Sequence, residues 1–313
     1  MKKGFKAGLI SLVAGAAGMG GAAAVGNFFY DLSMVPRPRD PAGDAGRTDS
    51  ITLGRAWVRE HPARRDVLIT SVDGLRLHGV VLRQKEKECH RWAVCVHGYQ
   101  DFHESMGVYA KHYYEELGWN VVLPDLRGHG GSEGNYVGFG WDDRLDVVSW
   151  ISRIMRRDAA AEIVLHGVSM GAATVLMTTG GALPGSVKAV VSDCGYTTAR
   201  AIMRHVYQSG GGKGPAGPAL AALRATVKRR NHFDLKDADA LRAVRASRTP
   251  TLFIHGVNDD FVPAGMMAEL YEAARCPKEF LWVPGAGHAE SVDVEPAVYW
   301  SRVDEFLRRY LSF

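Results

Sequence analysis

A serine at the centre of a Gly-x-Ser-x-Gly pattern is the residue whose surroundings most favour chemistry. Residues 163–171 read Ile-Val-Leu-His-Gly-Val-Ser-Met-Gly, and the helix-forming stretch 172–177 follows. This order predicts a strand, a sharp turn and a helix, with Ser169 at the apex of the turn. Side chains at Gly167 and Gly171 would collide with the backbone there, which explains both glycines. Ser169 is therefore a candidate nucleophile; the alternative is a Gly/Ser turn that serves packing only.

A serine hydroxyl needs a neighbouring base to take its proton, and histidine commonly serves. Among the 12 histidines, His288 follows a predicted strand in a Gly-rich loop near the end of the chain. His97, His166 and His255 end apolar strands directly before a glycine, which favours structural roles, and His129 lies in a loop that it would shape. A late loop can place an imidazole over the sheet edge without disturbing the core. We therefore expect His288 to be the general base.

A carboxylate that orients the imidazole would complete the set. Asp259 and Asp260 follow a buried strand predicted at 250–255, so both are candidates. The structural alternative is that one of them caps the helix that begins near Pro263. The resulting chain order is serine, aspartate and histidine, which differs from the order in chymotrypsin and in subtilisin.

The elements that must position these residues alternate between strands and helices. Strands are predicted at 67–72 and 75–83 (a hairpin), 91–96, 120–124, 162–166, 187–192, 250–255 and 279–283. Helices are predicted at 104–117, 141–157, 170–180, 264–274 and 295–311. Such alternation predicts an α/β fold with a doubly wound, mostly parallel sheet.

Four segments, in this order, resemble the α/β-hydrolases. They are Val-Cys-Val-His-Gly-Tyr at 94–99, Asp-Leu-Arg-Gly-His-Gly-Gly-Ser at 125–132, Gly-Val-Ser-Met-Gly at 167–171, and His-Gly-Val-Asn-Asp at 255–259 with Val262-Pro263. Gly287-His288 completes the set. The chain looks most like the bacterial serine-esterase and lipase branch, which includes monoacylglycerol-lipase-like and serine-aminopeptidase-like members. The resemblance implies an α/β-hydrolase fold: an eight-stranded, mostly parallel sheet with a helical cap inserted after strand 6.

The resemblance also implies roles for further residues. In this family the backbone amide after the nucleophile and an amide of the early His-Gly-x turn bind the oxyanion. These amides match Met170 and Tyr99 in this sequence. The family motif also favours Asp259 over Asp260 as the acid of the triad.

The implied activity is cleavage of carboxylic esters through a Ser-His-Asp triad and an acyl-enzyme, with no cofactor and no metal. An amidase, a peptidase or an acyltransferase would use the same triad. A different class is a binding protein with this fold and no catalysis. Such members usually lack a triad residue or an elbow glycine, and here every position is filled.

An insertion interrupts the alternation, because no strand is predicted between Tyr196 and Arg248. It contains a Gly/Pro-rich stretch at 209–218 and then a predicted helix at 219–230. The resemblance implies a cap at about 196–248, and its Gly/Pro content favours a mobile gate over the site. The alternative is a long surface loop with one packed helix.

The N-terminus forms a separate segment. Lys2, Lys3 and Lys6 precede the run 7–30, which contains no charged residue. Residues 1–30 are therefore predicted to be a signal anchor that associates with the cell membrane and leaves the hydrolase domain extracytoplasmic. One alternative is a signal peptide cleaved near Ala22-Ala23-Ala24, which gives a secreted protein. Another is a buried Gly/Ala helix of a cytosolic protein.

Composition limits the remaining classes. The net charge is +4, and no basic stripe interleaved with aromatic residues indicates nucleic-acid binding. The four cysteines form neither a disulfide framework nor a metal-ligand pattern. We expect a linker at 31–65, a hydrolase domain at 66–313, and a small ester or lipid-like molecule as the substrate.

Overall fold

A mixed β-sheet forms the centre of the computed structural model, which describes residues 19–37, 49–85, 88–212 and 214–311. In those ranges eight strands pair in the order β1-β2-β4-β3-β5-β6-β7-β8. They are β1 (Arg64–Thr70), β2 (Arg76–Leu82), β3 (Arg91–Val96), β4 (Asn120–Pro124), β5 (Glu162–Val168), β6 (Val187–Asp193), β7 (Thr251–Gly256) and β8 (Lys278–Val283). Strand β2 is antiparallel to both neighbours, and the remaining pairs are parallel. The predicted α/β-hydrolase sheet is thus confirmed.

Helices precede, connect and follow the strands along the chain. They are α1 (Met19–Ser33), α2 (Ser50–Glu60), α3 (Gly107–Lys111), α4 (Asp143–Arg157), α5 (Met170–Thr179), α6 (Ala199–Ser209), α7 (Ala216–Asn231), α8 (Ala240–Ala246), α9 (Gly265–Ala273), α10 (Ser291–Val294) and α11 (Pro296–Leu307). A 3₁₀ helix, His103–Met106, directly precedes α3. A π-helical segment, His112–Glu116, directly follows α3.

Both faces of the sheet are covered because alternate residues of each strand point to opposite sides. In β3, Val94 and Val96 belong to one buried cluster, which also contains Trp150 of α4. Their neighbours Ala93 and Cys95 belong to a second cluster with residues of α3 and α11. Parallel strands that are covered on both faces have nearly continuous runs of apolar residues. The positions of these strands could therefore be predicted from the sequence.

The insertion between β6 and β7 contains three helices. The helix predicted at 219–230 is present as α7, which is slightly longer. Helices α6 and α8, which precede and follow it, are absent from the prediction. Helix α8 packs on α5, where a Cβ at Gly180 would lie 2.7 Å from Ala243 Cβ. The last part of the insertion therefore belongs to the layer of helices on the sheet.

The structure differs from the expected linker at 31–65. Residues 50–60 of that stretch form α2, which Asp49 caps by accepting a 3.0 Å hydrogen bond from the Thr52 amide. Helix α2 approaches α3 so closely that a Cβ at Gly107 would overlap the Gly54 carbonyl. Residues 38–48 of the expected linker lie outside the described residues.

The first 18 residues of the predicted anchor also lie outside the described residues, and its remainder forms most of α1. No helix in the described ranges is long and apolar enough to span a bilayer. The described helices thus give the anchor no support, and it stays a prediction. Helix α1 instead packs along α7, where a Cβ at Gly26 would lie 2.6 Å from the Ala222 carbonyl oxygen.

Candidate active site

Ser169 occupies a strained turn between β5 and α5. Its φ of 57° and ψ of −116° lie outside the regions that residues with a side chain prefer. A Cβ at Gly167 would overlap the Gly171 carbonyl, and a Cβ at Gly171 would overlap the Val96 carbonyl. Only glycine fits at both positions, because the strand, the turn and the helix touch backbone to backbone. The turn thus presents the hydroxyl at the carboxyl edge of the sheet.

A continuous hydrogen-bonded line joins Ser169, His288 and Asp259. His288 Nδ1 lies 2.7 Å from Asp259 Oδ2, and Nε2 lies 2.9 Å from Ser169 Oγ. An ionised carboxylate only accepts, so Nδ1 carries the proton and Nε2 accepts from the hydroxyl. The structure thus brings together the three side chains that the sequence analysis selected. In this arrangement Nε2 is placed to take the serine proton.

The surroundings of Asp259 keep its carboxylate ionised. Its side chain is fully buried, and Oδ1 accepts the amides of Phe261 at 2.9 Å and Val262 at 2.8 Å. Burial alone would raise the pKa of this carboxyl, but hydrogen bonds from His255 and His288 hold the pKa well below its usual range. The carboxylate is therefore negative at neutral pH and accepts the hydrogen bond from His288 Nδ1.

Asp260, the alternative acid, is placed differently. The residue is exposed, and its backbone carbonyl accepts a 2.9 Å hydrogen bond from His205 Nε2. Its carboxylate is not among the partners of His288. The structure thus distinguishes the two neighbouring aspartates, because only the carboxylate of Asp259 contacts His288. The residue pattern alone did not distinguish them.

Two backbone segments flank the serine hydroxyl. Met170 is the first residue of α5, so its amide has no acceptor within the helix, and the Ser169 side chain does not cap that end. On the other side is the His97-Gly98-Tyr99 turn, where a Cβ at Gly98 would lie 3.9 Å from Ser169 Oγ. The residues expected to supply oxyanion amides, Tyr99 and Met170, thus lie on both sides of the hydroxyl.

Two buried histidines hold the turn that carries Tyr99. His97 Nε2 accepts the Leu126 amide at 3.0 Å, and His129 Nε2 accepts the Gln100 amide at 3.2 Å. Burial lowers the pKa of both rings, that of His97 to about 4, so they stay neutral and keep Nε2 as an acceptor. The structural roles expected for these two histidines agree with these contacts.

In the described ranges, two groups bring three potential metal ligands together: Cys194 with Asp259 and His288, and His78 with His103 and Asp125. The first group shares two residues with the hydrogen-bonded line. In the second, His78 and His103 each hydrogen-bond Asp125 through Nδ1, at 2.7 and 2.9 Å. Asp125 also accepts the Gly131 amide at 2.8 Å. These hydrogen bonds hold the loop after β4 in place.

An apolar cavity of about 770 Å³, counted with its open mouth, lies beside Ser169. Its walls come from α1, the Tyr99 turn, α6, α7 and the segment after Asp259. The lining residues are Phe29, Leu32, Ser33, Tyr99, Phe139, Ser169, Met170, Tyr196, Ile202, Met203, Val206, Tyr207, Ala219, Leu220, Leu223, Phe261 and Val262. The contribution of α1 was not predicted from the sequence, because an apolar Gly/Ala run does not indicate the surface on which it packs.

Residues 93–302 match the family model of the alpha/beta hydrolase family, so this chain belongs to that family. YqkD of Bacillus subtilis is 28% identical over 201 residues, which span 63% of this chain and 64% of that relative. The chain thus covers slightly less than two thirds of that protein. WAV2 of Arabidopsis thaliana, described as an alpha/beta hydrolase domain-containing protein, is 28% identical over 262 residues, or 78% of this chain and 79% of WAV2.

Solved structures with the same fold include two esterases. An esterase from Pyrococcus furiosus has a TM-score of 0.65 at 22% identity and covers 90% of this chain and 99% of its own. Acetyl xylan esterase 1 from Thermoanaerobacterium has a TM-score of 0.62 at 16% identity, with 95% and 100% covered. At these identities the likeness shows the fold. It does not place the chain in the bacterial esterase and lipase branch.

Proposed function

We propose that this protein is a serine hydrolase that cleaves carboxylic esters, with Ser169 as nucleophile, His288 as general base and Asp259 as the group that orients His288. The observation that carries the proposal is the line from a buried, ionised carboxylate through an imidazole to a hydroxyl on a strained turn. A serine held only for packing would need neither this turn nor this base. The esterases that share the fold add support.

The geometry suggests the following steps. Ser169 Oγ attacks the ester carbonyl carbon while His288 Nε2 takes the hydroxyl proton. The oxyanion forms between the Tyr99 and Met170 amides, each of which is worth about 3 kcal/mol in such sites. When the tetrahedral intermediate collapses, the alcohol leaves with the proton from Nε2, and the acyl group stays on Oγ. His288 then takes a proton from water, which attacks and releases the acid.

Esters are favoured over amides by the chemistry of the cavity wall. The lining side chains are almost entirely apolar. A peptide backbone buried there would lose its hydrogen bonds to water without replacement, which costs free energy for every unpaired group. An aliphatic acyl group loses none.

Replacement of the nucleophile tests the proposal. Ser169→Ala should abolish turnover of short p-nitrophenyl esters and labelling by a fluorophosphonate, because no hydroxyl remains to attack. Ser301→Ala is the matched control, since Ser301 is exposed on α11, and it should behave as the native protein. The native protein should also turn over p-nitrophenyl octanoate faster than octanoyl p-nitroanilide. Labelling retained by Ser169→Ala would contradict the triad, and a preference for the anilide would contradict the ester assignment.

A further inference from the structure

Helix α1 lines the cavity with one of its faces. Phe29, Leu32 and Ser33 stand three and four residues apart, a spacing that puts them on the same side of a helix. All three line the cavity that contains Ser169. Phe29 also contacts Tyr207 of α6, with ring centroids 5.8 Å apart. The N-terminal helix and the insertion thus enclose the same space.

The position of α1 is fixed at its middle by α7. A Cβ at Gly26 would lie 2.6 Å from the Ala222 carbonyl oxygen and would overlap Thr226 Oγ1, so the two helices touch at the glycine. Arg230 extends this contact, with its guanidinium carbon 4.5 Å from the centre of the Tyr30 ring. Such close backbone contact leaves α1 little freedom to slide along α7.

The end of α1 is fixed by the turn that carries the proposed oxyanion amide. Tyr99 Oη donates to the Ser33 carbonyl at 2.9 Å. Gln100 Nε2 donates to the Val35 carbonyl at 3.0 Å, and its Oε1 accepts the Arg37 amide at 2.8 Å. Because these bonds join α1 to residues beside Ser169, the wall that α1 provides is set at a fixed distance from the nucleophile.

The chemistry of this wall identifies what it accepts. Phe29 and Leu32 offer only apolar atoms, and Ser33 Oγ already donates to the Phe29 carbonyl at 2.6 Å. Ser33 Oγ can therefore only accept, and the face offers no charged side chain. An alkyl chain, by contrast, gains free energy from each methylene it buries there.

We propose that Phe29 and Leu32 of the N-terminal helix form the acyl-binding wall and set the length of the acyl chain that the site accepts, in an ester of an aliphatic acid. The inference rests on the proposed function, since it assigns the acyl side of that reaction. It adds a specificity role for a segment that precedes the sheet.

Leu32→Trp tests the wall by filling the cavity. The larger ring shortens the space for an alkyl chain, so the ratio of kcat/KM for p-nitrophenyl octanoate to that for the acetate should fall about tenfold, the effect of losing about two buried methylenes. Leu32→Ala should shift the preference toward longer esters. Ala24→Trp is the matched control, because Ala24 is exposed on the same helix and lies outside the cavity lining, and its ratio should equal that of the native protein.

A binding measurement separates this inference from the proposed function. Octanoate titrated calorimetrically into the Ser169→Ala variant should bind, and it should bind at least tenfold more weakly once Leu32→Trp is added. An unchanged ester ratio and unchanged octanoate affinity would overturn the acyl wall even where esters are cleaved. The converse result is that the native protein cleaves no ester while Leu32→Trp still weakens octanoate binding. That result would support the role of Leu32 in the wall and would contradict the proposed hydrolase activity. Thermal unfolding of each variant shows whether it folds.

Discussion

At the scale of single residues, Asp259 and Asp260 offer a sharp comparison, because they are neighbours of the same type with different surroundings. Asp259→Asn should lower kcat for ester hydrolysis by about 10³–10⁴-fold, since an amide in place of the carboxylate disfavours the tautomer that His288 needs. Asp260→Asn should change it less than threefold. Steady-state kinetics on a p-nitrophenyl ester makes the measurement, and equal losses in both variants would contradict the assignment.

The residues of the candidate site were predictable because each follows a strand. Ser169 follows β5, Asp259 follows β7 and His288 follows β8. Parallel strands bring their carboxyl ends to one edge of a sheet, so a strand prediction and the chain order suffice to bring such residues together. The choice between the two aspartates needed the family motif, since both lie in one loop, and spacing alone does not show which carboxylate points inward.

At the scale of elements, the contact of α1 with α7 depends on a glycine. Gly26→Val should push the helices apart, because its side chain would overlap Thr226 and the Ala222 carbonyl. We expect a lower thermal midpoint and a weaker discrimination between octanoate and acetate esters. Gly217→Val is the control, since a Cβ at Gly217 on α7 meets nothing within 4 Å. If the two variants had similar thermal midpoints and similar discrimination between the esters, the contact between α1 and α7 would contribute neither to stability nor to specificity.

Two of the helices that sequence reasoning missed, α2 and α6, were missed for different reasons. Helix α2 is stabilised by an approach of Gly54 to Gly107 and by buried Arg55, which donates to Ser105 Oγ at 2.7 Å. Neither glycine contact nor buried arginine leaves an apolar period in the sequence, so the stretch reads as a linker. Helix α6 follows a loop and precedes a Gly-rich run, and these flanks hid its amphipathic pattern. Tertiary contacts thus account for α2, whereas the pattern of α6 was present in the sequence.

At the scale of the whole molecule, a buried polar chain crosses the core beneath the site. Tyr113 hydrogen-bonds His166, His166 hydrogen-bonds Tyr299, and Tyr299 donates to Asp193 Oδ2, each at 3.0 Å. Burial raises the pKa of Asp193 to about 6, although the Tyr299 hydroxyl partly opposes it. This series of hydrogen bonds connects helical segments on one face of the sheet to the carboxyl ends of the central strands β5 and β6.

This raised pKa predicts a pH dependence of global stability. Between about pH 4 and pH 6 the folded state binds more protons at Asp193 than the unfolded state, so raising the pH costs stability. Asp193→Asn removes the titration. The free energy of unfolding of the variant relative to the native protein should therefore rise by about 1 kcal/mol from pH 5 to pH 8. Urea unfolding at both values measures it, and parallel pH profiles would contradict the assignment.

The hydrogen bond between Tyr99 Oη and the Ser33 carbonyl links the position of helix α1 to that of the turn that carries Tyr99. A ligand that fills the cavity touches Phe29 and Leu32 and so favours the docked helix over any state in which α1 is detached. By reciprocity, whatever detaches α1 weakens that ligand by the same free energy. If Phe29 and Leu32 form the proposed wall, helix α1 thus changes the affinity of the cavity for such a ligand, although it supplies none of the groups proposed for the reaction.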